Sequence, residues 1–314
     1  MATGFFTDTT LCIGCKACEV ACKQWNQLPT QEFEFTGMSY DNTAQLGATT
    51  WRHVSFVEQF DGRGRFNGLD TDLGQAALAG SGAVGPGAGA IAGTIHQGRS
   101  SGQGGAAHRG GTGASVASAA SEFLTGNRWL MMSDVCKHCT HAGCLQACPT
   151  GAIIRNEFGD VYVQPDICNG CGYCVPACPF GVIDVDERDG RAWKCTLCYD
   201  RQKAGMEPAC AKACPTRSIQ FGELEELRAR AYERVGQLHQ RGVTDAYLYG
   251  VDEHTSVGAL NAFFLLVDQP EAYNLPEKPA LPQARVVPAY LATAVTAVAL
   301  GAAAMALLAR GRKG

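Results

Sequence analysis

A chain of 314 residues is long enough for two ordinary domains and a sizeable core. Its 26 basic residues are set against 30 acidic ones, for a formal charge of −4, so it has no basic field for nucleic acid. Sixteen of its residues are cysteines, and what they do decides the class.

In chain order, Met1 to Thr10 carries no basic stretch followed by an apolar core and reads as lacking a signal peptide. The first cysteine group follows as Cys12-x2-Cys15-x2-Cys18-x3-Cys22, with Lys23 next. Trp25 and the run Trp51–Phe60 read as packing and strand residues. Together, 1–60 form the first cysteine group and the start of the core. From 61 to 126 the composition turns Gly/Ala/Ser-rich, without hydrophobic periodicity, and is expected to be an insertion. It is read as a flexible loop or as a segment ordered on a partner subunit. Its glycines make no phosphate-binding motif.

Residues 127–221 are expected to be the dense core, with cysteine groups two to four. Group two is Cys136, Cys139, Cys144 and Cys148; group three is Cys168, Cys171, Cys174 and Cys178; group four is Cys195, Cys198, Cys210 and Cys214. The four groups use every cysteine. The spacing C-x2-C-x2-C-x3-C, with proline after Cys148, Cys178 and Cys214, is that of two-cluster ferredoxins. The fourth cysteine of such a group ligates the neighbouring cluster, so groups exchange ligands in pairs and four groups make two pairs. After each proline comes a small strand-like piece: TGAII, FGVID and TRSIQ. The expected cofactors are therefore four [4Fe–4S] clusters bound by these sixteen cysteines. A disulfide framework suits small, loop-rich secreted domains and gives no reason for the repeated spacing. Structural zinc would want separable CxxC knuckles, and a c-type haem would want CxxCH, which is absent. His138 and His141 lie among the ligands and read as surface residues or as neighbours of the clusters. Lys16, Lys23, Lys137, Lys194 and Lys212 also lie close by. They are read either as solvated charge or as a set that offsets the anionic clusters, whose class spans about −700 to +450 mV.

In the 222–285 segment, Leu224, Leu227, Ala231, Val235 and Leu238 recur at helical period, giving an amphipathic helix. An extended stretch with a strand-like run at Ala262–Val267 follows. Residues 286–309 contain no charge. As a helix they would span about 36 Å, enough for a hydrocarbon core of about 30 Å with some tilt. Ala294, Ala297, Gly301 and Ala304 would admit a neighbouring helix. The basic tail, 310–314, puts the C-terminus in the cytoplasm by the positive-inside rule, and the cluster domain outside, in a periplasm. The fold class expected is α+β: two ferredoxin-like dicluster modules of small βαβ-type halves, plus a C-terminal transmembrane helix. No nucleotide fingerprint or nucleophile–base pair stands out, so the chain reads as an electron conduit without a catalytic site of its own.

At this point the residues resemble a family. CIGCKACEVACKQWN, CNGCGYCVPACPFGV, KCTLCYDRQKAGMEPAC and CPTRSIQFG resemble the four-cluster electron-transfer subunits of molybdenum and tungsten bis-pterin oxidoreductases. RGVTDAYLYGVDEHTSVG, VDQPEAYNLPEKP and the terminal span bring the resemblance closest to the iron–sulfur subunits of membrane-bound respiratory formate dehydrogenase. The resemblance covers most of the chain outside the insertion. It implies the pairing of groups: Cys12, Cys15 and Cys18 with Cys214; Cys195, Cys198 and Cys210 with Cys22; Cys136, Cys139 and Cys144 with Cys178; and Cys168, Cys171 and Cys174 with Cys148. It implies a molybdenum or tungsten pterin catalytic subunit as partner, and a membrane cytochrome b passing electrons to quinone. Such subunits are exported folded on the partner's twin-arginine signal, and this one would sit single-pass in the inner membrane. The insertion, 61–126, is longer than the family leads one to expect, which bears on packing against the catalytic subunit. The alternative is the equivalent subunit of a sulfoxide, polysulfide or thiosulfate, or nitrate reductase, with electron flow reversed.

Overall fold

The computed structural model describes residues 2–30, 41, 43, 45–60 and 127–311. By its internal contacts the chain divides into two units, 58–128 and the remainder. The expected insertion at 61–126 lies outside the described residues.

In chain order the elements of the larger unit begin with β1 (Thr3–Asp8), α1 (Ala17–Trp25), β2 (Arg52–Phe60) and β3 (Asn127–Val135). The cysteine-rich core contributes α2 (Gly143–Gln146), β4 (Ile153–Arg155), β5 (Val161–Val163), α3 (Cys174–Ala177), β6 (Asp184–Val185), β7 (Ala192–Trp193), α4 (Tyr199–Lys203) and α5 (Ala209–Ala213). Then come β8 (Ile219–Glu223), α6 (Leu224–Gln240), β9 (Tyr247–Tyr249), β10 (Ala262–Leu266) and α7 (Val286–Gly311). The fold is mixed helix and strand, as expected at that level.

A four-stranded sheet runs in the order β8-β1-β10-β9. β1 lies parallel to β10, with Phe5 opposite Ala262, and antiparallel to β8, with Phe5 opposite Phe221. Both inner strands are covered on both faces, so they read as continuous apolar runs rather than alternating ones: Phe5 and Phe6 are buried, and so is all of β10. Phe6 stacks on Phe263 with ring centroids 5.4 Å apart, and Phe221 meets Phe5 edge-on. α6 lays Leu224, Leu227, Ala231 and Leu238 into this core, the stripe that its sequence period predicts. Its outer face carries charge, and Arg234 reaches back to Asp8 at 2.8 Å.

The prolines explain the short helices. A residue before proline is pushed out of the helical region by clash with the ring. Cys178 and Cys214 accordingly take extended backbone angles, with ψ of 112° and 110°, and end α3 and α5. The strand-like pieces after the prolines become β4, β6 and β8. The first group has Lys23 where the others have proline, and α1 runs through Cys22 to Trp25. That continuation overturns the reading of Trp25 as a core aromatic. It is 41% exposed, its indole N–H donates to Asp200 at 2.8 Å, and Arg201 lies over its ring at 4.2 Å.

A helix does cover the expected span, 286–309. Among the described residues, however, no helix is long and apolar enough to cross a membrane. The side chains at 287, 288 and 306–311 lie outside that set.

The α6 stripe is testable. Leu227 is 1% exposed, so Leu227→Ala should cost about 2–5 kcal/mol through lost burial and the cavity left behind. Glu226→Ala, on the exposed face, should stay within about 0.5 kcal/mol. Urea midpoints of the two variants at unchanged slope would measure both.

Candidate metal centres

The four cysteine groups are built alike. In each, two cysteines precede the helix that carries the third; the fourth sits at or beyond that helix's end in groups two to four, and inside α1 in the first. The loops need left-handed backbone. Gly14 has φ +65°, and a Cβ there would stand 2.5 Å from the Phe56 ring. Gly170 has φ +74°, and a Cβ would lie 2.1 Å from the carbonyl oxygen of Gly190. Glycine, with no Cβ, adopts the left-handed turn at both places without these clashes.

Tertiary contacts then decide which thiols meet. The β1–β8 pairing brings the first group to the end of the fourth, and α1 packs along α5. Cys12 comes within electrostatic reach of Cys15 and Cys214. Cys22, on α1, lies within electrostatic reach of Cys210 and Cys198 of the fourth group, and of Cys18 of its own. α2 packs on α3. There Cys139 is surrounded by Cys136, Cys178 and Cys144, and Cys174 by Cys168, Cys171 and Cys148. Cys136, Cys139, Cys144 and Cys178 line one cavity, shared with His138 and Lys194. Other thiols also lie within electrostatic reach of one another: Cys18 of Cys210, Cys195 of Cys136, and Cys144 of Cys174. All sixteen thiols are free. Among the described residues no three Cys, His, Asp or Glu side chains close tightly enough to hold a single metal ion.

Burial governs the thiols. It pushes Cys18 and Cys144 up to about 12, and Cys174 and Cys198 to about 11, while Cys22, Cys139 and Cys195 are driven up further in the same direction. Neighbouring thiolates add to the rise, since like charges in a dry interior resist joint ionisation. Cys148 moves the other way. Its slight burial raises it, but the Thr150 hydroxyl and the N–H groups of Ile153, Thr150 and Ala152 together hold it below the usual thiol range. Thiolates so placed need positive charge close by, and the iron of a bound cluster supplies it.

The donor set fits [4Fe–4S] clusters: four thiols per set, with no cysteine over. Two buried donors among the cysteines also lack an acceptor among the described residues, Arg52 Nε and His138 Nε2. His138 is 1% exposed, and its Nδ1 accepts the Val161 N–H at 3.2 Å. Burial, then the charges of Lys194 and Arg155, hold its imidazole well below the usual histidine range. His141 is exposed. The lysines divide. Lys137 and Lys194 are buried, at 1% and 2%, whereas Lys212 is exposed. Lys137 pairs with Asp134; Lys194 donates to the carbonyls of Val161 and Cys195. Lys23 donates to the Pro29 and Thr49 carbonyls, both at 3.3 Å, and so ties down the chain that follows α1.

Sequence reasoning passed over Arg52, which lies in a run read only as strand. Its Nη2 donates to Cys210 Sγ at 3.1 Å. The one available signal was a cation beside the tryptophan of an otherwise packing-type segment.

Asp160 gives a pH test of this interior. Burial pushes its carboxyl from 3.8 up to about 6, although Gln202, Asn156 and Lys194 oppose the rise. Its Oδ2 accepts from Gln202 at 2.7 Å, and its Oδ1 has no partner. The folded chain therefore holds a proton that the unfolded chain has lost between these values. That contribution is fully present below pH 3.8 and is lost as pH rises to about 6. At about 1.4 kcal/mol per pH unit the loss comes to about 3 kcal/mol. Asp160→Asn should be the more stable protein at pH 7 by up to about that amount, with its advantage shrinking below pH 6. Paired unfolding curves from pH 5 to 7 would show it.

A family model described as a 4Fe-4S dicluster domain matches residues 127–224. The formate dehydrogenase iron-sulfur subunit of Haemophilus influenzae is 34% identical over 304 residues, covering 95% of this chain and 76% of that protein. The nitrate-inducible formate dehydrogenase iron-sulfur subunit of Escherichia coli is 34% identical over 276 residues, 87% of this chain and 71% of that protein. The B subunit of the anaerobic dimethyl sulfoxide reductase of Haemophilus influenzae is 28% identical over 232 residues, 72% of this chain and 77% of that protein.

Proposed function

Since the chain belongs to the family of formate dehydrogenase iron–sulfur subunits, we propose that it relays electrons from a formate-oxidising molybdenum or tungsten pterin subunit, through four [4Fe–4S] clusters, to a membrane cytochrome b and quinone. The observation that carries this reading is the succession of thiol sets. Thiols of consecutive sets lie within electrostatic reach of one another: Cys18 of Cys210 and Cys22, then Cys195 of Cys136, then Cys144 of Cys174. Four sets in line make a path, whereas clusters that merely stapled the fold would need no such order. The ligand sets we assign are Cys12, Cys15, Cys18 and Cys214; Cys22, Cys195, Cys198 and Cys210; Cys136, Cys139, Cys144 and Cys178; and Cys148, Cys168, Cys171 and Cys174.

When bound, each cluster takes up and gives on one electron at a time. The chain's own residues hold it, shield it and set its surroundings. The two end sets each have an exposed cysteine, Cys15 and Cys171, while the two middle sets have none. Electrons would accordingly enter and leave at these ends. Exposed apolar residues flank both: Ile13 and Val20 at one, Ile167 and Tyr173 at the other. Such residues suit docking to partner subunits.

We assign α7 to the inner membrane as a single span, with the cluster domain on the periplasmic side and the basic end in the cytoplasm. The uncharged run 286–309 supports this. So do the side chains of Tyr290, Leu291, Val295 and Val298, which are 63–75% exposed and find no cover among the described residues. The hydroxyls of Thr293 and Thr296 donate to carbonyls one turn back, at 2.8 Å, which satisfies them in a medium without water.

Formate added anaerobically to the complex purified with this chain should bleach cluster absorbance and bring up reduced-cluster EPR signals. Clusters that dithionite reduces but formate does not would discard the substrate; dimethyl sulfoxide reoxidising them would then favour the reductase alternative. For the ligand sets, Cys214→Ser should damage the cluster held by Cys12, Cys15 and Cys18 and spare the other three. An unchanged spectrum from that cluster would refute the exchange of ligands between the first and fourth groups.

A further inference from the structure

Arg52 opens β2, and its side chain lies among thiols rather than carboxylates. The residue is 1% exposed. Its Nη2 donates to Cys210 Sγ at 3.1 Å, while Nη1 donates to the Ser133 carbonyl at 3.3 Å and reaches the Ser133 hydroxyl at 3.4 Å. That hydroxyl lies 3.1 Å from Cys18 Sγ. The guanidinium also lies over the Phe5 ring, with Cζ 4.8 Å from its centroid. Its Nε is buried without a partner. A buried guanidinium is tolerated only where anions and acceptors compensate it. The anions acting on this one are the thiolates of Cys210, Cys18, Cys195 and Cys22.

Cys210 and Cys18 belong to different ligand sets, so one fixed cation sits between two. We propose that Arg52 is a positioning residue that raises the reduction potentials of two clusters at once, one through Cys210 and the other through Ser133 and Cys18. This rests on the ligand sets assigned above. An added electron makes a thiolate-bound cluster more anionic, and a buried cation a few ångströms away stabilises that form without screening by solvent. Hydrogen bonds to the ligand sulfur act in the same direction. The Nε proton, with no acceptor among the described residues, would be available to a sulfur of a bound cluster. Arginine is suited to the task because it stays charged at any working pH and its fork serves both sides. The Cys148, Cys168, Cys171 and Cys174 set lies two sets beyond Cys210 and provides an internal control.

The test is an EPR-monitored redox titration of the intact complex. In Arg52→Gln, which keeps a donor and removes the charge, the reduction equilibria of the two flanking clusters should each fall at least tenfold, or 59 mV for a one-electron couple. The cluster on Cys168, Cys171 and Cys174 should not move. Arg52→Lys, which keeps the charge, should restore most of the shift. Ser133→Ala should lower only the cluster that contains Cys18. Four intact clusters with unmoved potentials in Arg52→Gln would overturn the proposal, as would an equal shift in all four. Should Arg52→Gln lose its clusters, Ser133→Ala decides: a shift confined to the Cys18 cluster supports the proposal, and no shift overturns it. Fewer than four clusters in the unaltered complex would instead overturn the ligand assignment, whatever Arg52 does.

Discussion

Sixteen thiol groups confined to one core are an electrostatic problem before they are a redox device. Burial drives most of the interior thiols well above their ordinary range, and their mutual repulsion adds to this. The arrangement is tenable as thiolates only if positive charge lies among them. Iron supplies most of it, and the protein adds Arg52 and Lys194, both nearly inaccessible to solvent. Lys194 feels the thiolates of Cys136, Cys144 and Cys195, so burial, which would lower its affinity for a proton, is outweighed and the group is held charged. Arg52 and Lys194 thus stand where consecutive sets meet, Arg52 at the first junction and Lys194 at the second.

The rest of the fold serves that arrangement. A strand at the start of the chain pairs with one beyond residue 218 and another beyond residue 261, and this long-range sheet docks the first cysteine group against the fourth. The second group is also tied to the segment before β10, through a bridge between Cys139 and Leu260 and the bonds of the Thr140 and His141 N–H groups to the Ala259 and Val257 carbonyls. Short hairpins, β4 with β5 and β6 with β7, and the α2–α3 contact hold the middle groups together locally. Proline ends two of the cysteine-bearing helices, α3 and α5, by forbidding the preceding residue a helical conformation. Lysine at the equivalent place lets α1 continue.

Much of this could be read from the sequence, for a physical reason. The two-two-three spacing is local geometry, since three thiols a few residues apart can wrap one group. The α6 stripe was legible because its burial is one-sided and therefore periodic. β10 was legible as a continuous apolar run. What escaped is what depends on partners far away in the chain. Trp25 looked like core because tryptophan is usually buried, but its position past Cys22 put it on the surface, against Asp200 and Arg201. Arg52 looked like one strand residue among nine; its role depends on Cys210 and Ser133, 158 and 81 residues away. No periodicity encodes such a contact. Nor could the lysines be sorted in advance, since burial alone separates Lys137 and Lys194 from Lys212.

The whole arrangement depends on thiolates neutralised by iron, and the most direct measurement is the iron and acid-labile sulfide content of the anaerobically purified complex, with the partner's own metal subtracted. Four [4Fe–4S] clusters require about sixteen of each per copy of this chain. About eight of each would leave half of the buried thiols uncompensated and contradict the four-set arrangement. Zinc in place of iron, or a low free-thiol count after cluster removal under non-reducing conditions, would contradict it outright.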